Sequence, residues 1–106
     1  MKYFITEEQR RKKGGTCYFE FQKGQSGAEN EYTFWKEDSM LMHMDIADEI
    51  GLYKMIDGFD YYGVTVVDRE KWEKFLLCAG NELVSELRGW AEDNFREYDY
   101  FVILGL

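Results

Sequence analysis

The stretch SMLMHMD, residues 39–45, sets Met40, Met42 and Met44 around His43, the only histidine of the chain. Thioether sulfurs and an imidazole are ligands that a soft ion such as Cu(I) prefers, so a copper site is the first chemistry to weigh. The spacing argues against it. Neighbouring side chains of an extended strand point to opposite faces, which puts the three methionines and Ile46 on one side and Leu41, His43 and Asp45 on the other. The methionines then read as adaptable core filler, and His43 as a satisfied or surface histidine. Structural zinc asks for about four ligands, more than one histidine and the distant Cys17 and Cys78 supply. No metal and no cofactor is expected.

Catalytic constellations are as thin. A Ser-His-Asp or Cys-His arrangement would have to use His43, which has no nucleophile at a recognisable spacing. Carboxylate pairs carry no specificity in a chain with 21 acidic residues, and neither Gly14-Gly15 nor GQSG is a phosphate-cradling loop of the GxGxxG or GxxxxGK[ST] kind. The expectation is a protein without catalysis.

Two groups of residues could instead bind a partner. Glu82, Glu86, Asp93 and Glu97 repeat at 4-7-4 spacing along one flank of a helical apolar arc. Like charges four apart cost a helix a few tenths of a kcal/mol, about 0.2–0.5 per pair, while the opposite flank holds complementary pairs such as Glu92 with Arg96 and Glu70 with Lys74. An uncompensated acidic ridge is what docking of a cationic partner requires; a solvated flank is the plainer alternative. The second group lies in DGFDYYG, residues 57–63, where Asp57 and Asp60 mix with Tyr61 and Tyr62 between glycines. Tyrosines on such loops anchor interfaces because they bring large area at low rotamer cost, or they tuck onto the core.

The elements that must position these residues follow from periodicity. GTCYFEFQK (15–23) alternates Cys17, Phe19 and Phe21 against Tyr18, Glu20 and Gln22, a half-buried strand. After the break GQSGAEN, EYTFWKE (31–37) resumes a β pattern and predicts a hairpin partner. The methionine stretch makes a third strand, and Ile46, Ile50 and Tyr53 predict a short helix after it. GVTVV (63–67) is a strand closed by Asp68, an N-cap flanked by Val67 and Trp72 as a hydrophobic staple. Trp72, Leu76, Ala79, Leu83, Leu87 and Trp90 keep one helical phase across Gly80, which predicts one helix over about 69–97, some 40 Å long at 1.5 Å per residue. YDYFVILGL is apolar on both faces, as an interior strand is. The fold class is therefore α+β: an antiparallel or mixed sheet, one long C-terminal helix packed across it, and a closing apolar strand, in a single domain over residues 1–106.

Composition bounds the rest. Hydrophobic residues at 45% argue for a folded chain despite a net charge of −8. Residues 1–36 carry seven basic and five acidic side chains, residues 37–106 six and sixteen. A surface this acidic repels phosphate backbones and attracts cations, so nucleic acid is not an expected partner. The run Arg10–Lys13, followed by two glycines, reads as a solvated turn. The longest apolar run is far shorter than the roughly 20 residues of a membrane span, and acidic residues interrupt MKYFITEEQ before a signal sequence could form. A cytoplasmic protein with two reduced, half-buried thiols is expected.

In YYGVTVVDREKWEKFL and DNFREYDYFVILGL the chain resembles small bacterial immunity proteins, of the kind encoded beside polymorphic and contact-dependent growth-inhibition toxins. The resemblance covers the second half and implies a cytoplasmic antitoxin that binds and occludes a cognate toxin domain. Such toxins are often nucleases with basic substrate-binding surfaces, toward which an acidic inhibitor is steered. A small acidic structural or adaptor domain, homodimeric through a sheet edge, is the alternative.

Overall fold

The computed structural model describes residues 1–25 and 32–106. Thr6 and Gln9 form a reciprocal capping box that starts the first helix directly after a two-residue strand, giving β1 (Ile5–Thr6) and α1 (Glu7–Lys13). The basic run is thus the last turn of a helix, where cations meet the negative end of its dipole, rather than a turn. Gly14, at φ +78°, ends it. The strands β2 (Tyr18–Lys23) and β3 (Met40–His43) follow, then the short helices α2 (Met44–Ile50) and α3 (Leu52–Met55). Strand β4 (Val64–Asp68), helices α4 (Arg69–Cys78) and α5 (Asn81–Glu97), and strand β5 (Tyr100–Leu104) complete the chain.

The five strands form one sheet in the order β1-β3-β2-β5-β4, every neighbouring pair antiparallel. β5 lies inside, between β2 and β4, as its apolar faces require. The register sets Phe19 beside Met42 and Phe21 between Met40 and Ile103. These side chains share one core with Val67 and Phe101 and with Trp72, Phe75, Leu83, Leu87, Ala91 and Phe95 of the two long helices. Each such large apolar side chain contributes roughly 1.5–3 kcal/mol by leaving water.

Several further expectations need correction. The single helix over 69–97 is two helices. Ala79 and Gly80 take extended conformations, at ψ 147° and 155°, and Gly80 becomes the N-cap of α5 without a side chain to cap it. The apolar phase survives because both helices face the same core. The third strand ends at His43, whose Nδ1 accepts the Asp45 N–H at 3.0 Å and caps α2, so Met44 is the first residue of a helix. His43 also meets Tyr18 edge to face, at 5.1 Å between ring centres, while Met42 is fully buried in the core.

The hairpin partner expected at 31–37 is not a strand over 32–37, and residues 26–31, which include most of the expected turn, lie outside the described residues. Instead, residues 32–39 cover the second face of the sheet. Glu20 Oε2 accepts the Lys36 N–H at 2.7 Å and the Ser39 hydroxyl at 2.6 Å, and Gln22 donates to the Thr33 carbonyl at 2.9 Å. Arg10, held by Glu7, stacks 4.2 Å over the Trp35 ring. Glu20 and Gln22, expected on a solvated face, are therefore completely buried. Oε1 of each has no hydrogen-bond partner among the described residues. Both cysteines are free and exposed rather than half-buried.

Candidate partner-binding surface

The acidic ridge of α5 is not uncompensated. Glu86 accepts four hydrogen bonds from three successive backbone N–H groups: Lys2 at 2.9 Å, Tyr3 at 2.9 and 3.2 Å, and Phe4 at 3.0 Å. One carboxylate thus ties the segment that leads into β1 onto the helix, and seats Phe4 in the core beside Phe21. One turn earlier, Glu82 pairs with the Lys2 ammonium at 3.3 Å. The hydrogen bond to Glu82, then its charge, raises the Lys2 pKa. Farther along, Asp93 pairs with Arg96 at 2.8 Å, and Trp90 donates its indole N–H to the Asp38 carbonyl at 2.7 Å. Glu97 alone of the four acids has no such partner among the described residues. On the other flank Glu70 and Lys74 pair as expected at 3.9 Å, whereas Arg96 has gone to Asp93 and Glu92 meets Arg88 at 3.8 Å.

The loop before β4 divides into a built part and a free part. Asp57 pairs with Lys74 of α4 at 3.1 Å, and that hydrogen bond raises the lysine's pKa. Asp60 accepts the Tyr62 N–H at 3.0 Å, and its own N–H donates to Thr65 Oγ1 at 2.8 Å, an Asx-type turn that fixes the approach to the strand. Tyr61 lays its ring edge-on against Phe19, 5.1 Å between centres, and donates its hydroxyl to Asp48 at 3.1 Å. Burial first, then the Asp48 carboxylate, raises its pKa above the ordinary phenol value. The backbone carbonyls of Tyr61 and Gly63 accept the N–H groups of Leu106 and Gly105, at 3.0 and 2.7 Å. Gly105 has no alternative there, since a Cβ would run into the Tyr61 carbonyl. Tyr62, by contrast, is 78% exposed.

No hydrogen bond, ion pair or ring contact among the described residues joins the ridge to the loop. They serve opposite edges of the sheet: Glu82 and Glu86 hold the chain entering β1, and the loop leads into β4.

Sequence reasoning missed the apolar surface beside Tyr62. β4 alternates, with Thr65 and Val67 buried and Val64 and Val66 exposed at 42% and 47%. The cover formed by residues 32–39 is anchored on β2 and leaves Val64 and Val66 exposed. Phe34 and Leu106 are exposed beside it, and a hollow of about 170 Å³ is lined by Tyr32, Phe34, Tyr62, Val64, Leu104 and Leu106. The alternation of VTVVD was the available signal; that its outer face would stay uncovered was not written in it. Asp60 and Asp68 stand before and at the end of the strand, both exposed. Among the described residues no helix is long and apolar enough to cross a membrane. No protein family, curated protein or solved structure matches this chain.

Proposed function

We propose that this chain is a non-enzymatic immunity protein of the bacterial cytoplasm, which binds a basic toxin domain of the nuclease kind and occludes its active site. The observation that carries the reading is the apolar strip Tyr62, Val64 and Val66, exposed on a chain whose residues 37–106 hold sixteen acidic and six basic side chains. An apolar centre with an acidic surround is the arrangement that excludes water at close contact while steering a cationic partner from a distance. The ridge takes a smaller part than its spacing implied: Glu82, Asp93 and Glu97 add to the field, whereas Glu86 is committed to the fold.

The test is growth rescue. A toxin domain encoded immediately upstream is expressed in a susceptible cell with and without this chain, and protection is expected, lost in Tyr62→Ala and Val66→Lys proteins that fold normally. Absence of a toxin gene beside this one, or growth arrest despite full expression of the folded chain, would overturn the immunity reading.

A further inference from the structure

β4 is the last strand of the sheet, so among the described residues one of its two backbone edges has no neighbouring strand. Natural proteins blunt such edges with proline, bulges or inward-pointing charge, because unpaired N–H and C=O groups template another strand. This strand has no proline, pairs with β5 in unbroken register from Val64 to Asp68, and carries valines on its open face. Its guard is a lysine: the Lys71 ammonium lies 3.3 Å from the Val66 carbonyl oxygen. This is one side-chain contact from the first turn of α4, which a partner strand's backbone N–H would replace. We infer that β4 takes an extended, basic segment of a partner protein as a sixth strand, with the partner's apolar side chains over Val64, Val66 and Tyr62 and its cations on the opposite face, the side of Thr65, to which Asp60 is bonded.

The charges argue for this occupant over a second copy. Two chains would bring together net charges of −8 each, and antiparallel pairing centred on Val66 would set Asp68 of one copy beside Val64 of the other. A strand alternating apolar and basic residues meets neither objection. Main-chain hydrogen bonds supply affinity in this mode of recognition and alternate side chains supply selectivity. The inference rests on the proposed binding of a basic protein, and it names the surface and the shape of the segment bound.

The probe is a capped synthetic peptide alternating lysine and valine, with a glutamate–valine peptide as control, followed by amide NMR of the labelled protein at low salt. The lysine peptide is expected to shift the amides of residues 64–68 and slow their exchange, and the glutamate peptide to do neither. Val66→Lys should weaken binding by about tenfold or more, and Lys71→Met, which uncovers the Val66 carbonyl, should strengthen it. Shifts confined to α5, or no shift at β4, would overturn the inference. So would a dimer in sedimentation that Val66→Lys dissolves, since that assigns the edge to a second copy. If the peptide binds β4 and growth rescue fails, the toxin reading falls and the edge stands. If rescue succeeds and survives Val66→Lys, the edge inference falls alone.

Discussion

Glu86 and Tyr62 differ as two kinds of exposed-looking residue. Both sit at positions that sequence periodicity assigns to a surface, one on the flank of a helix and one in a glycine-bounded loop. The structure lays the N-terminal segment over Glu86, which answers three backbone donors there, and leaves Tyr62 in water beside two valines of an edge strand. A charged ridge on a helix is therefore not automatically a docking site, because chain from elsewhere in the molecule can reach it first. Among the described residues no other segment bonds to the side chains of the apolar strip around β4, and that makes it the better candidate for an outside partner.

Substitutions can break this contrast in order of size. Glu86→Ala should be the most costly, lowering stability by about 2–3 kcal/mol, because hydrogen bonds to a charged acceptor are the strong ones and Phe4 loses its tether. Denaturant unfolding reads it directly; a change near zero would return Glu86 to the free surface. Next in size is Gly105→Ala, at roughly 1–3 kcal/mol, since the added methyl must displace the Tyr61 carbonyl in a closely packed seam. Its check is the thermal midpoint.

Tyr61→Phe should cost less, about 0.5–1.5 kcal/mol, by removing the hydroxyl contact to Asp48 while keeping the ring on Phe19. The same comparison sharpens with Tyr62→Ala, expected to stay within about 0.5 kcal/mol of the parent protein while abolishing protection against a toxin. Two adjacent tyrosines would then separate, one by stability and one by binding. Gly80→Ser is a small change that runs the other way. It should stabilise by about 0.5–1 kcal/mol, because Gly80 is an N-cap without a side-chain acceptor, its φ of −68° suits any residue, and a Cβ there meets nothing. Loss of stability in this variant would point instead to a strained junction between α4 and α5.

Most of the secondary structure could be read from local pattern: the alternation at 18–23 and 64–67, the Asp68 cap, the apolar closing strand. The first helix was legible too, in the Thr6-x-x-Gln9 capping box. The break at Ala79-Gly80 was not legible, because hydrophobic phase reports which way side chains face and not whether the backbone between them stays helical. Of the candidate site, Tyr62 and Asp60 were legible as loop residues. Val64, Val66, Phe34 and Leu106 were not, because only the order of strands leaves β4 outermost.

The sequence by itself determined the α+β class, the core-facing phase of β2, β4 and the two long helices, and the acidic excess of the second half, since these depend on residues near one another or on composition alone. Tertiary structure decided which polar residues are spent inside the fold. Glu20 and Gln22 alternate like solvent-facing residues and are buried because residues 32–39 cross over them; Glu86 repeats like a ridge residue and is occupied because residues 2–4 cross over it. Each result is a contact between segments at least 11 positions apart in the chain, and local periodicity carries no information about what chain will arrive from that distance.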